Sequence, residues 1–406
     1  MPRPFSVRTG YVAPCPHYPN CVGCPFIDLP YPEQLLKKHR RLSQLVAAYS
    51  SLRHLEVPAV IPSPRRLRYR ARVKLVVRRS RHAILAGLYF PGTHRVADIS
   101  SCPLHPEPVN QVIRQLKDET RRLGIMPYDE TTDRGDLRYL DARYSFWRKE
   151  LVLTLVTRRS AFPKGEDLAR SLKKRFPYIA GVVQNVNEDP GNVIWGKHSR
   201  TLAGRDTTME RIGPFKLKLP VGVFSQANPA VASRVYEGVY GLASLTGKEN
   251  ALDLYCGIGP ISLYLARSAR VVWGVDESPL SIATAKQNAR LNGVHNCRFF
   301  EGGIAEFVQD ATTKLGRIDL IVLNPPRKGI QADALAALLS CSPPRMIYVS
   351  CNPVTLTRDL DKLSDEGYRT VGMQPFDMFP QTDQVETVAL IERPSPANSL
   401  GDFPML

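Results

Sequence analysis

From Ala251 to Ser350 the chain alternates short apolar runs with stretches of helical period, and the first run passes directly into Cys256-Gly257-Ile258-Gly259. Strands that short and that apolar bury both faces, which requires a mainly parallel sheet covered by helices. The pattern therefore predicts a doubly wound α/β domain. Its strands are expected at Ala251–Tyr255, Arg270–Val275, Asp319–Leu323 and Met346–Ser350. Helices are expected after Gly259, from Pro279 to Asn292 with Gly293 as a stop, and in the Ala/Leu-rich stretch before Met346. Asn228-Pro229 opens a further helix reaching about Leu242. Two later runs, Thr370–Phe376 and Val385–Glu392, close the sheet as an antiparallel pair.

At 406 residues the chain is long enough for two domains. The predicted division is 1–215, 216–393 and a flexible Pro/Ser/Gly-rich tail from 394 to 406. The first part reads as an α+β region, with a polar helix at Glu33–Tyr49 and strands at Arg68–Val77, Leu151–Thr157 and Gly181–Asn187. Charge separates the parts: residues 1–215 hold 37 Lys and Arg against 19 Asp and Glu, whereas residues 216–406 hold 18 against 19. Arg65 to Arg81 carries nine basic residues and no acid, alternating with apolar positions. A strand so patterned buries one face and offers cations on the other, which suits a polyanion such as RNA. No run is of signal-peptide or membrane-spanning length, so a cytoplasmic protein with no membrane partner is expected. Nothing calls for an obligate protein partner.

The turn after Tyr255 lets a ligand approach the backbone at a helix N-terminus, and Asp276, at the end of the next strand, is placed for ribose hydroxyls. A dinucleotide fold is the rival reading. Ser262 stands where its fingerprint has a third glycine, which weakens it. The order strand, Gly-x-Gly, helix, strand, acid, followed by Asn324-Pro325-Pro326, resembles the S-adenosylmethionine pocket of Rossmann-like methyltransferases.

Cys351 follows a predicted strand, as does Asn324, and Glu386 begins another. A thiol there with a carboxylate available makes a nucleophile and base, or else a buried structural thiol. Arg327 follows the prolines where nitrogen methyltransferases carry an aromatic residue, and Asn324–Gly329 lacks the cysteine of cytosine-5 enzymes. With Phe224-Ser225-Gln226-Ala227-Asn228-Pro229, Ser350-Cys351-Asn352-Pro353 and Phe376-Asp377-Met378-Phe379-Pro380 before Val385-Glu386, the chain resembles the RNA (uracil-5-)-methyltransferase family. The resemblance implies Cys351 as nucleophile, Glu386 as the base that removes a proton, and Gln226, Tyr255, Gly257, Asp276 and Asn324 around S-adenosylmethionine. Arg327 and Lys328 would help to hold the target nucleotide. Gln384 stands where many members have His, and Asn324 where many have Asp. A cytosine-5 or nitrogen RNA methyltransferase, and an RNA-binding protein with an inactive methyltransferase fold, are the competing readings.

Cys15, Cys21 and Cys24 lie close together and Cys102 far off. Four thiolates suit zinc or an iron–sulfur cluster, and spacing alone leaves both open. The same arrangement resembles the [4Fe–4S] site of the uracil-5 family. Only 14 residues precede Cys15, too few for a TRAM domain, so the resemblance is to the branch acting on 23S ribosomal RNA, with transfer RNA as the alternative substrate.

Overall fold

A computed structural model describes residues 12–80, 83–189, 191 and 193–394. Arg81 of the basic run and the expected tail beyond Pro394 lie outside the described residues. The chain forms two compact units that interleave in sequence: residues 12–30, 65–210 and 218–228 of the first, and 31–64, 211–217 and 229–394 of the second. Residues 31–64, expected with the first half, thus belong with the second unit.

The second unit contains α1 (Tyr31–Ala47) and α4 (Pro229–Ala243). Its sheet is built from β10 (Asn250–Leu254), β11 (Val271–Asp276), β12 (Cys297–Glu301), β13 (Leu320–Leu323), β14 (Arg345–Ser350), β15 (Arg369–Phe376) and β16 (Glu386–Glu392). The connecting helices are α5 (Pro260–Leu265), α6 (Pro279–Leu291), α7 (Ile304–Leu315), α8 (Ala332–Cys341) and α9 (Pro353–Asp365). Strand order is β12-β11-β10-β13-β14-β16-β15, with the first five parallel and β16 antiparallel to both neighbours. The order reverses beside β10, and the crevice outside the carboxyl ends at such a reversal is where open α/β sheets bind ligands. Leu252, Leu254, Ile321, Leu323, Met346 and Tyr348 are all but fully buried, as strands covered on both faces require. Leu42 and Val46 of α1 belong to this core, which is why residues 31–64 fold here. Neither β12, α7 nor α9 was expected from the sequence; Cys297-Arg298-Phe299-Phe300-Glu301 buries only Phe299, too faint a signal for a strand.

In the first unit, β1 (Arg72–Ser80), β2 (Ala83–Tyr89), β3 (Val96–Asp98), β4 (Leu137–Ser145), β5 (Glu150–Thr157), β6 (Ile179–Val186) and β7 (His198–Gly204) form one sheet in the order β3-β2-β1-β4-β5-β6-β7. Its ladders are antiparallel except β5–β6, which α3 (Gly165–Arg175) connects as a crossover. With α2 (Glu107–Arg122), α3 covers the apolar side formed by Val73, Leu75 and Val77 of the basic strand. A two-stranded ladder, β8 (Thr207–Ile212) with β9 (Phe215–Pro220), completes the strands.

The basic strand buries its apolar positions as expected, but its other face is not a simple row of cations. Arg72 pairs with Asp141 at 2.8 Å and donates to the Val223 carbonyl at 3.0 Å. Arg78 pairs with Glu130 and donates to the Tyr128 carbonyl at 2.9 Å. Arg138, on the neighbouring strand β4, is buried and donates to the carbonyls of Asn187 and Asp189 at 2.8 and 2.6 Å. Arg65, Arg66, Arg68 and Arg79 are exposed.

Candidate active site

Tyr255, Gly257, Asp276 and Asn324 come together at the carboxyl ends of β10, β11 and β13. Tyr255 directly follows β10 in the left-handed region at φ 62°, unusual for an aromatic residue and a strain that the surroundings must hold. Gly257 and Gly259 follow at φ 55° and 83°. A Cβ built on Gly257 would meet nothing within 4 Å, so this backbone faces open space that a ligand can enter. Asp276 fixes the turn: Gly257 N–H donates to one carboxylate oxygen at 3.0 Å and Ser278 N–H to the other at 2.9 Å. A carboxylate has about four acceptor sites, so capacity for a diol is left. Below the turn, Ser262 donates to Asp253 at 2.5 Å, and burial pushes that carboxyl up to about 7. Asn324 is half-buried, and its N–H donates to the Leu254 carbonyl at 3.3 Å. Gln226, also expected here, is a buried residue of the first unit. Cys256 is buried, as packing requires.

The second group lies two strands along. In the β14–β16 ladder Ser350 pairs with Thr387, so Cys351 and Glu386 continue that register as the next facing positions. Phe376 pairs with Glu386 from the other side. Glu386 is only 2% exposed, and burial pushes its carboxyl up to about 7, with the Arg327 charge pulling the other way. Burial also raises the Cys351 thiol, the Glu386 charge raises it further, and the Arg327 charge and hydrogen bond lower it. Thiol, carboxyl and guanidinium therefore share one neighbourhood.

Arg327 is held there by its own backbone. Its carbonyl accepts from Asn352 Nδ2 at 2.9 Å and Thr355 Oγ1 at 3.3 Å, while the Lys328 carbonyl accepts from Arg358 at 2.9 Å. Asp359 accepts Ile330 N–H at 2.9 Å and the Tyr348 hydroxyl at 2.8 Å. Asn352 also caps α9, accepting Val354 N–H at 3.2 Å. Tyr236 of α4 was missed in the sequence; burial and then the Glu386 charge raise its hydroxyl, which marks it as a neighbour of the carboxylate. An isolated Tyr in a helix carries no pattern that could have revealed this.

The arrangement can add a thiolate to an electrophilic carbon and later remove a proton nearby. Residues 209–394 match the family model described as tRNA (Uracil-5-)-methyltransferase. An uncharacterized RNA methyltransferase of Geobacter sulfurreducens is 40% identical over 96% of this chain and 79% of its own length. The chain belongs to the RNA (uracil-5-)-methyltransferase family. Another relative of the family, an uncharacterized RNA methyltransferase of Halalkalibacterium halodurans, is 38% identical over 94% of this chain and 83% of its own. Among solved structures, the Pyrococcus abyssi tRNA (uracil-54, C5)-methyltransferase in complex with S-adenosyl-L-homocysteine is similar with a TM-score of 0.75, at 26% identity over 91% of this chain and 84% of that one.

The four cysteines form a separate group in the first unit. Burial raises the Cys24 thiol, followed by the charges of Cys102, Cys21 and Cys15; burial pushes Cys102 up to about 11. The Cys21, Cys24 and Cys102 thiols, raised by burial and by the charges of neighbouring cysteines, share one neighbourhood with Cys15, a donor set that a bound cation would stabilise. Their side chains do not converge as ligands: among the described residues no group of three or more His, Cys, Asp or Glu is arranged to hold a metal ion. His105, close by and buried, leaves Nδ1 without a partner. Among the described residues no helix is long and apolar enough to cross a membrane.

Proposed function

We propose that this RNA methyltransferase methylates carbon 5 of a uridine in the cytoplasm, with S-adenosylmethionine as methyl donor and Cys351 as a covalent nucleophile. The observation that carries the reading is the opposition of Cys351 and Glu386 across the β14–β16 register, with Arg327 beside them. Carbon 5 of uracil is too weak a nucleophile to take a methyl group unaided. Arg327 favours the Cys351 thiolate, which adds to carbon 6 and leaves electron density on carbon 5. Bound at the β10–β13 crevice, the cofactor supplies an electrophilic methyl group to that carbon. Tyr255, the Gly257 turn, Asp276 and Asn324 bind it in this reading, and the open backbone at Gly257 fits such a ligand. Glu386 then takes the proton from carbon 5, and the electron pair left behind re-forms the ring double bond and expels Cys351. A base stacked in a helix cannot reach both the thiol and the methyl group, so the uridine is flipped out or lies in a loop.

The substrate we favour is 23S ribosomal RNA, on the motif resemblance. A transfer RNA uridine is the second reading, supported by the likeness to the Pyrococcus abyssi enzyme. Mapping 5-methyluridine in both RNAs from cells with and without the gene separates them. Loss from 23S RNA supports the first, loss from transfer RNA the second, and loss from neither contradicts both.

For Cys15, Cys21, Cys24 and Cys102 we infer a [4Fe–4S] cluster that organises the first unit and takes no part in the transfer. The shared neighbourhood of the four thiols supports it; their side-chain directions do not. Protein purified without oxygen should contain iron and sulfide in equal amounts. Zinc in their place would contradict the cluster.

A further inference from the structure

One motif has no part in the chemistry above: Phe376-Asp377-Met378-Phe379-Pro380, which leads into the loop before Glu386. Asp377 is fully buried, and so is its partner Lys38, whose Nζ lies 2.5 Å from Oδ1. The other oxygen accepts the Tyr31 hydroxyl at 2.7 Å. Lys38 also donates to the Phe379 carbonyl at 3.0 Å. Gln34 completes the set: its amide donates to Gln381 Oε1 at 2.8 Å and its oxygen accepts Gln381 N–H at 2.9 Å. Positions 31, 34 and 38 fall on one face of α1, by the three- and four-residue spacing of a helix.

That face grips the loop joining Phe376 to Glu386, and these two residues are themselves a facing pair in the β15–β16 ladder. Gln381, at φ 72°, sits in a backbone region that needs holding, and Gln34 holds it. Simple adhesion would not select a fully buried ion pair, since apolar residues of the same volume do that as well or better. A bidentate grip on one carboxylate fixes direction as well as distance. We infer that Lys38, with Tyr31 and Gln34, is a positioning device for the proton-removing step: through Asp377 it sets where Glu386 stands relative to Cys351. The inference rests on the reading of Glu386 as base.

The test compares two half-reactions in the full-length protein. Adduct formation with a 5-fluorouridine RNA and S-adenosylmethionine requires Cys351 but no proton removal. Tritium release from carbon 5 of the normal RNA requires both. Lys38→Met should form the adduct within about twofold of the wild-type rate while tritium release falls about tenfold to a hundredfold, the penalty of a misplaced group. Tyr31→Phe, which loses one hydroxyl and keeps the packing, should show the same split more weakly. Unchanged tritium release in both variants, or an equal fall in both half-reactions with loss of thermal stability, would overturn the inference. Glu386→Gln is measured alongside: if it releases tritium at the wild-type rate, the base reading itself fails, whatever Lys38 does.

Discussion

Glu386 faces Cys351 one step beyond the Ser350–Thr387 pair of the β14–β16 ladder. The antiparallel strand brings a residue 35 positions away in sequence to face the thiol. A base on a strand end is held more rigidly than one on a loop, as general acid–base geometry demands.

Replacing Glu386 with Gln should separate the two half-reactions. Turnover is expected to fall by about a hundredfold or more, while a methylated adduct at Cys351 builds up on normal RNA. Stability should move oppositely. With its carboxyl raised from the ordinary 4.5 to about 7, the folded protein binds this proton more tightly than the unfolded chain. That contribution is complete below pH 4.5 and is lost as pH rises to about 7, at most about 3 kcal/mol. By urea titration the wild type should therefore lose more stability over this interval than Glu386→Gln, the difference being at most about 3 kcal/mol.

Turnover should rise with pH through about 7, as Glu386 becomes a base. Arg327 lowers both the Cys351 thiol and the Glu386 carboxyl, so Arg327→Leu should shift the rising limb to higher pH as well as slow the reaction. A pH–rate profile of kcat checks this, and an unmoved limb would remove Arg327 from the electrostatics.

Gly329 stands at φ 81°, where a Cβ would lie 2.3 Å from the Asp359 carboxylate. Gly329→Ala should cost about 1–3 kcal/mol and displace the loop that carries Arg327. Thermal melting and turnover should fall together.

Asp276 holds Gly257 and Ser278 through charge-assisted bonds. Asp276→Ala should weaken S-adenosylmethionine binding by about tenfold to a hundredfold in calorimetry, consistent with about 1.5–3 kcal/mol for such a bond. Unchanged affinity would place the cofactor elsewhere.

The second unit was legible because buried parallel strands announce themselves. Leu320–Leu323 and Met346–Ser350 are continuous apolar runs, and glycines mark the turn after β10. Four of the five expected cofactor residues meet at one sheet edge for that reason, and the facing of Cys351 and Glu386 follows from register alone. Two things were hidden. Helix α1 is polar by composition, yet Tyr31, Gln34 and Lys38 are buried, because their polar atoms meet partners more than 300 positions away. No local pattern encodes such partners. Likewise, Arg72 and Arg78 read as cations for RNA, but acids and carbonyls from other segments engage them. A run of like charge shows what a strand carries, whereas its partners depend on the tertiary fold.

The central claim is covalent catalysis by Cys351, and trapping with a 5-fluorouridine RNA tests it most directly, because the fluorine cannot leave as the proton does. In the presence of S-adenosylmethionine, the protein should form a denaturant-resistant complex with its RNA. Mass spectrometry should place the bond on Cys351, and Cys351→Ala should form no complex while still binding the cofactor. Turnover by Cys351→Ala, or an adduct on any other cysteine, would contradict the account.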